Sequence, residues 1–253
     1  MPYSPGIVYQ LSPAPGERCI ICNTAITNGF LVCSIECAER QLQSTPLVPL
    51  RQYHRAYKDV VSRLRAQWKH STSAPTVRAV YAVITSESSN TTYLDYRAQV
   101  ESKRHCTRLN FRPGNERLRW HGSFSKCDLA NIGTKICGIL DGCPLCSILR
   151  ESFKVEKYQG GGLFGRGIYS TATSSKADNH AHISRGSYRA LTLASVVAGY
   201  GKQLSDENHG LTEPPAGYDA VLGIPRAGGT FLYDETVVYD NDAIRPVFLI
   251  VYG

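Results

Sequence analysis

The chain has 253 residues, of which 42% are hydrophobic and 9% aromatic, and its formal net charge is +7. This composition predicts a globular protein with a sizeable core and excludes a disordered chain. No apolar run reaches about 18 residues, and the first ten residues, MPYSPGIVYQ, lack the basic and apolar regions of a secretory signal. We therefore expect a soluble intracellular protein without membrane contact, in either the nucleus or the cytoplasm.

The first chemical pattern along the chain is a pair of cysteine motifs, C-x2-C and C-x3-C, separated by ten residues. Its members are Cys19, Cys22, Cys33 and Cys37. Four thiolates in two close pairs can enclose one tetrahedral Zn²⁺, and intracellular thiols stay reduced. We predict a zinc module over residues 1–45, with a structural role because four protein ligands leave no open coordination position. Two disulfides or unliganded thiols are the alternatives.

Residues 46–76 form a basic segment with six Lys/Arg and one Asp. Apolar side chains recur there at helical spacing and predict one face of an amphipathic helix: Tyr53, Tyr57, Val60, Val61, Leu64 and Trp68. The opposite face carries Arg51, Arg55, Lys58, Arg65 and Lys69. This basic row either contacts the phosphate backbone of DNA or RNA or is an ordinary solvated face. HSTSAPT, at 70–76, predicts a linker.

From residue 77 onward, short apolar runs alternate with Gly, Pro and Asn turns, which predicts a sheet-rich α+β domain over 77–253. The seven runs are VRAVYAVI, RLRWHGS, GIYST, YRALTLASVV, DAVLGIP, ETVVYD and RPVFLIVY. Polar groups lie at three of these strands: the triplet His121-Gly122-Ser123, Tyr169 and Glu235. If these strands pair, the three groups line one cleft.

A second set of cysteines lies between these polar groups, at Cys127, Cys137, Cys143 and Cys146. The final C-x2-C, with Gly and Pro beside and within it, is similar to a zinc knuckle, whereas the first two spacings are irregular. We predict a second structural zinc here that braces the loop beside the cleft. Cys106 is left over and is predicted to be a plain thiol.

Three motifs, NERLRWHGS, FGRGIYSTATSSKADNH and DETVVYD, occur in the order and style of the poly(ADP-ribose) polymerase catalytic domain. YRALTLASVVAGYG, GYDAVLGIP and RPVFLIVY also match the late strands of that domain. The chain thus resembles a diphtheria-toxin-type (H-Y-E) ADP-ribosyltransferase over residues 77–253, as in small fungal members with cysteine-rich N-terminal modules. The resemblance implies the ADP-ribosyltransferase fold, with split, mostly antiparallel sheets and flanking helices, and NAD⁺ as co-substrate.

The resemblance also implies a role for each polar group. His121 would bind the adenine-side ribose of NAD⁺, Ser123 another hydroxyl, and the Gly122 backbone the nicotinamide carboxamide. Tyr169 would stack on the nicotinamide ring. Glu235 would stabilise the oxocarbenium-like charge that develops as the nicotinamide–ribose bond breaks, and would orient an acceptor nucleophile on a protein or a nucleic acid.

The chain departs from the family pattern at two positions near the expected nicotinamide site. A second tyrosine is usual about eleven residues after the first, where this chain has His180, and a nearby serine is replaced by Ala177. An imidazole can still stack on nicotinamide, so His180 stays among the predicted NAD⁺-binding residues. These changes are expected to affect NAD⁺ affinity more than the reaction.

Three functions are compatible with the sequence. They are an NAD⁺-dependent ADP-ribosyltransferase, an NAD⁺ glycohydrolase with water as acceptor, and a silent module that binds NAD⁺ or nucleic acid. The complete set of His121, Tyr169 and Glu235 argues against the silent module. The sequence does not separate transfer of one ADP-ribose unit from transfer of many.

Overall fold

The structure of the chain, a computed structural model, describes residues 16–26, 29–132, 136–138, 142–229 and 231–253. The N-terminal residues 1–10, for which the absence of a secretory signal was predicted, lie outside these ranges. The helices are α1 (Ile35–Leu42), α2 (Arg55–Ala66), α3 (Glu87–Arg104), α4 (Pro144–Glu151) and α5 (Ser174–Asp178). The strands are β1 (Leu47–Pro49), β2 (Val77–Val83), β3 (Glu116–Gly122), β4 (Ile168–Ser170), β5 (Arg189–Val197), β6 (Gly201–Leu204), β7 (Ala220–Gly223), β8 (Glu235–Val238) and β9 (Ile244–Tyr252).

The strands form two sheets, and the predicted α+β class with mostly antiparallel sheets is confirmed. One sheet has the order β1-β2-β9-β5-β3 and the other the order β4-β8-β7-β6. All pairs are antiparallel except β6 with β7. Each of the seven predicted apolar runs contains a strand, whereas the short strands β1 and β6 were not predicted. An isolated bridge between Trp120 and Thr171 joins the ends of β3 and β4, and thereby the two sheets.

The two long strands β5 and β9 lie side by side in the first sheet and are buried along almost their whole length. Because both faces of the sheet are covered, these strands are apolar at most successive positions rather than at alternating ones, with Thr192, Ser195 and Arg245 as buried exceptions. Each large side chain buried there, such as Leu193 or Phe248, contributes roughly 1.5–3 kcal/mol through its removal from water.

Helix α2 is amphipathic, as predicted, but shorter than the predicted pattern. It begins after His54, whose Nδ1 accepts a hydrogen bond from the Ala56 amide over 3.1 Å, and ends at Ala66. Tyr53 precedes the helix and is 69% exposed, and Trp68 follows its end, so neither belongs to the buried face. The buried face consists of Ala56, Val60, Val61 and Leu64. The five predicted basic residues are all exposed: Arg51, Arg55, Lys58, Arg65 and Lys69.

The cysteine-rich region, α2 and the first sheet share one core. Cys19 and Val32 belong to the same buried cluster as Leu64, Trp120 and Phe248. Strand β1, at residues 47–49, also pairs with β2, so residues upstream of 77 extend the first sheet. Residues from all three predicted segments therefore contribute to this core.

Helix α3 was not predicted, because its sequence ESSNTTYLDYRAQVESKR has little apolar periodicity and many poor helix formers. Its first turn is capped by the Ser86 hydroxyl, which accepts from the Ser89 amide. Tertiary contacts also stabilise the helix. The buried Tyr93 donates to Glu116 Oε1 over 2.6 Å, and Arg97 pairs with the same carboxylate at 3.0 Å. No helix within the described residues is long and apolar enough to cross a bilayer.

Candidate functional site

A cleft of about 680 Å³ opens at the junction of the two sheets. The bridge between Trp120 and Thr171 holds the end of β3 against the end of β4, with backbone hydrogen bonds of 2.8 and 2.9 Å. Strand β8 pairs with β4 on the other side. All six predicted NAD⁺-site residues line this cleft: His121, Gly122, Ser123, Tyr169, His180 and Glu235.

His121 has a defined tautomer in the cleft. Its Nδ1 lies 2.8 Å from the carbonyl oxygen of Tyr169, which can only accept, so Nδ1 carries the proton and donates. Burial lowers the pKa of His121, so the ring is neutral near pH 7 and its Nε2 is a hydrogen-bond acceptor. The ring also packs edge-on against Phe153 at 5.0 Å between centroids.

Gly122 is required by the packing of the protein itself. A Cβ at this position would lie 1.8 Å from the carbonyl oxygen of Ala177, at a distance no real side chain tolerates. The close approach brings the end of β3 against α5, with Ala177 buried beneath it. The sequence-based reason for this glycine was the approach of a ligand. The close contact with Ala177 is a second reason for glycine at this position, and it holds whether or not a ligand is bound.

Tyr169 has its hydroxyl fully engaged by backbone groups. The hydroxyl donates to the Gly165 carbonyl and accepts from the Phe164 amide, each over 2.8 Å. Burial raises the pKa of Tyr169, so the phenol stays neutral. Its ring is stacked with that of Tyr158 at 6.1 Å and an interplanar angle of 16°. The locked hydroxyl leaves the ring face as the part of Tyr169 able to contact a ligand.

Glu235 is a buried carboxylate with one engaged and one unengaged oxygen. Its Oε1 forms an ion pair with Nζ of Lys176, while Oε2 is buried and has no hydrogen-bond partner among the described residues. Across the strand pair, Gly223 faces Glu235 and leaves room for its side chain. A buried, unsatisfied carboxylate oxygen in an open cleft is suited to a hydroxyl donor or a developing positive charge.

The start of β8 is clamped by the residue before Glu235. Asp234 accepts hydrogen bonds from the Thr171 hydroxyl at 2.9 Å, the Ala172 amide at 2.7 Å and the Thr173 hydroxyl at 3.0 Å. These contacts tie the loop after β4 to the first residue of β8. The position of Glu235 relative to His121 is therefore set by rigid elements.

His180 follows α5 and is exposed on the wall of the cleft. Desolvation and the charge of Lys176 lower the pKa of His180, while Glu235 opposes that shift. The imidazole is therefore neutral at pH 7. The His180 ring also contributes to the lowered pKa of His121, so the two imidazoles interact electrostatically.

The N-terminal cysteines come together with the geometry of a tetrahedral metal site. The Sγ atoms of Cys19, Cys22, Cys33 and Cys37 all lie within 4.8 Å of one another. The sulfur atoms of Cys19 and Cys37 lie 3.8 Å apart, and those of Cys22 and Cys33 lie 3.5 Å apart. A Zn–S bond of about 2.3 Å in a tetrahedron places sulfur atoms roughly 3.8 Å apart. All four thiols are free of disulfides, so this cluster could hold a metal ion.

The second set of cysteines also forms one cluster, and it borders the cleft. The four Sγ atoms again lie within 4.8 Å of one another, with Cys127 and Cys146 at 3.5 Å. Cys127 follows Ser123 by four residues, Cys146 belongs to α4, and Cys143 itself lines the cleft. A metal held there would join the loop after β3 to α4, two walls of the same cleft.

Two comparisons bear on the family. No protein-family model matches the chain. The chain is similar to a mono-ADP-ribosyltransferase. It is 31% identical over 144 residues to protein mono-ADP-ribosyltransferase PARP4 of Mus musculus, which covers 55% of this chain and 7% of that protein. The corresponding protein of Homo sapiens is 29% identical over 144 residues, 55% of this chain and 8% of its own length. The chain therefore matches only a small part of these relatives.

Sequence reasoning missed two residues that contact the predicted site, Lys176 and Tyr158. Lys176 lies in the quoted motif FGRGIYSTATSSKADNH, but nothing local indicates that it meets Glu235, which is 59 residues away. Tyr158 lies just before the run Gly160-Gly161-Gly162 and belongs to none of the predicted motifs. The glycines were a usable signal, because a Cβ on Gly162 would lie 2.3 Å from the Tyr169 ring.

Proposed function

We propose that this protein is an NAD⁺-dependent ADP-ribosyltransferase that transfers ADP-ribose to a protein or nucleic-acid acceptor. The observation that carries the proposal is Glu235, a buried carboxylate in a cleft. Lys176 pairs with one of its oxygens, and the other has no partner within the described ranges. The partial similarity to PARP4 supports the same reaction class.

NAD⁺ would contact the predicted residues that line the cleft. Nε2 of His121 is an acceptor for a ribose hydroxyl, and Ser123 follows it on the same wall. The Gly122 backbone would meet the nicotinamide carboxamide. The Tyr169 face and the neutral His180 ring would flank the nicotinamide, each stacking contact contributing about 0.5–1.5 kcal/mol.

The chemistry assigned to Glu235 follows from the charge of the reaction. As the nicotinamide–ribose bond breaks, its electron pair stays with nicotinamide and positive charge develops on the ribose. A carboxylate already in place stabilises that charge without reorganisation. The acceptor nucleophile then bonds to the ribose carbon and loses its proton to this carboxylate.

Lys176 is assigned a positioning role. Its ammonium group holds Oε1 of Glu235 and keeps a buried charge paired, so the carboxylate stays oriented before NAD⁺ binds. Oε2 then remains for the ribose hydroxyl and for the proton of the acceptor. The ion pair therefore orients the Glu235 carboxylate for the reaction, in addition to any stabilisation of the fold.

Both cysteine clusters are assigned structural Zn²⁺. Their residues are Cys19, Cys22, Cys33 and Cys37 for the first, and Cys127, Cys137, Cys143 and Cys146 for the second. In the part of the chain that the structure describes, each group consists of four cysteines, and four thiolates suit zinc and leave no position for a substrate. Neither metal takes part in the chemistry of the cleft.

The test is to supply NAD⁺ labelled in the adenosine part together with protein, DNA and RNA, and to measure both labelling and nicotinamide release. The parent and an exposed control, Glu213→Gln, should do both, and Glu235→Gln should do neither at a comparable rate. Nicotinamide release without labelling would identify a glycohydrolase. NAD⁺ binding without either product would identify a silent module.

A further inference from the structure

Three half-buried arginines, Arg63, Arg117 and Arg119, lie together beside the strand of Glu235. Arg117 and Arg119 are two residues apart on β3 and thus face the same side. Arg63 belongs to α2, whose end is joined to β3 by a hydrogen bond of 2.6 Å from Trp120 Nε1 to Gln67 Oε1, and its charge acts on Arg119. Within the described residues, none of the three forms an ion pair with a carboxylate. None lines the NAD⁺ cleft. Together they form an arginine surface outside the proposed active site.

The position of Arg119 is fixed by uncharged groups. Its Nε donates to the Thr236 hydroxyl over 3.1 Å, and a second nitrogen donates to the Leu118 carbonyl over 3.0 Å. Burial, together with the charges of Arg117 and Arg63, lowers the pKa of Arg119 to about 10. The Arg119 guanidinium is thus repelled by the charges of Arg117 and Arg63, and a bound anion would relieve that repulsion.

The nearby carboxylates do not neutralise this surface. Asp234 raises the pKa of Arg119, and its oxygens accept hydrogen bonds from the Thr171–Thr173 loop. Glu235 is paired with Lys176. At Arg119, the charges of Arg117 and Arg63 therefore oppose the smaller effect of this one aspartate.

The surface continues into an exposed loop that carries an aromatic ring. Phe111 is 48% exposed, and the Arg117 guanidinium lies 5.9 Å from its ring centroid. Arg108 and Arg112 are exposed on either side of Phe111. Arginines around an exposed aromatic are the combination that single-stranded nucleic acids bind, through phosphate contacts and base stacking. A phosphopeptide would bring a single phosphate and would use only part of this surface, so its extent favours a nucleic acid.

We propose that Arg63, Arg117 and Arg119 bind the phosphates of a single-stranded nucleic acid, with Phe111 stacking on a base. This surface is separate from the NAD⁺ cleft and differs from the exposed basic row of α2. It borders β8 through the contact of Arg119 with Thr236, so a strand bound there lies beside the residue that follows Glu235.

The test measures binding of fluorescent oligo(U) RNA and oligo(dT) DNA to the full chain by anisotropy over a range of salt, without NAD⁺. Binding is read independently of any transfer reaction, so failure of the proposed enzymatic function does not affect the result. Each phosphate contact contributes about 0.7 to the slope of log affinity against log salt for single strands. The triple variant Arg63→Gln, Arg117→Gln, Arg119→Leu should therefore lower the slope by about 2 and weaken binding roughly a hundredfold at about 0.1 M salt.

The matched control removes the same charge at three exposed arginines elsewhere: Arg40→Gln, Arg185→Gln and Arg226→Gln. It should bind nearly as the parent does. If the triple variant unfolds, the single variants Arg119→Lys and Phe111→Ala are tested in its place. Arg119→Lys should keep oligonucleotide binding, and Phe111→Ala should weaken it. Equal losses in both triple variants, binding that is lost only on mutation of the α2 row, or preference for a phosphopeptide would overturn the proposal.

Discussion

Lys176 and Glu235 form an ion pair inside the cleft, although 59 residues separate them in the sequence. The pair engages one carboxylate oxygen and leaves the other buried, with no hydrogen-bond partner among the residues that the structure describes. It joins α5, which carries Ala177 and leads to His180, to the first residue of β8. The two walls that hold the proposed nicotinamide site are thus connected through the proposed catalytic group.

The first prediction concerns the charge of Glu235. Glu235→Gln keeps the size of the side chain and removes the charge that faces the developing oxocarbenium ion, so it acts on the transition state. We expect kcat to fall by about 10²–10³, with little change in NAD⁺ affinity. Single-turnover release of nicotinamide and calorimetric NAD⁺ binding give the two numbers. Release at the parental rate would refute the mechanism.

The second prediction concerns the partner of that charge. Lys176→Met leaves the buried Glu235 carboxylate unpaired, which typically costs about 3–5 kcal/mol of stability. In a chain of this size, about 3 kcal/mol corresponds to a fall in Tm of roughly 6–12 °C. Adding Glu235→Gln removes the orphaned charge and should restore most of the loss. A Lys176→Met protein as stable as the parent would show that the pair is not buried in solution.

The third prediction concerns His180, the departure from the family pattern. His180→Tyr should bind NAD⁺ about two- to tenfold more tightly, because a larger ring adds stacking area worth about 0.5–1.5 kcal/mol. The parental NAD⁺ affinity should change as His180 becomes protonated on acidification, and that part of the pH dependence should be absent in the variant. Identical pH profiles for the two proteins would place His180 outside the NAD⁺ site.

The fourth prediction concerns stability against pH. The pKa of His121 is lowered in the folded chain by burial, as is that of His180 by desolvation, from an ordinary value of 6.5. The unfolded chain therefore binds protons first as the pH falls. The free energy of unfolding should decrease from about pH 6.5 downward, before the carboxylates titrate. His121→Gln should flatten this part of the curve, as measured by Tm between about pH 7 and 5, whereas an unchanged slope would contradict the burial of a neutral His121.

The fifth prediction concerns the metals. Elemental analysis should find about two Zn²⁺ per chain, and strong chelation should unfold the N-terminal module. Cys146→Ser should remove one zinc and weaken NAD⁺ binding, because the second cluster joins two walls of the cleft. Cys106→Ser, at a buried cysteine outside both clusters, is the matched control and should leave both unchanged. A folded, metal-free protein after chelation would contradict both zinc assignments.

The sequence by itself determined those features that depend on local pattern. Largely apolar runs located β5 and β9, helical spacing located α2, and cysteine spacing located both clusters. The sequence also predicted that His121, Tyr169 and Glu235 line one cleft, as they do. Each of these signals lies within a short segment, where side-chain periodicity or ligand spacing is directly readable.

Tertiary structure alone decided the contacts between distant segments. The polar helix α3 is stabilised by Tyr93 and Arg97 meeting Glu116, and Gly122 is required because Ala177 lies against it. The pairing of Lys176 with Glu235 and the convergence of the arginine surface likewise join residues from different elements. Such contacts depend on how strands and helices pack in space, and a buried ion pair or an unpaired arginine leaves no periodic trace in the chain that carries it.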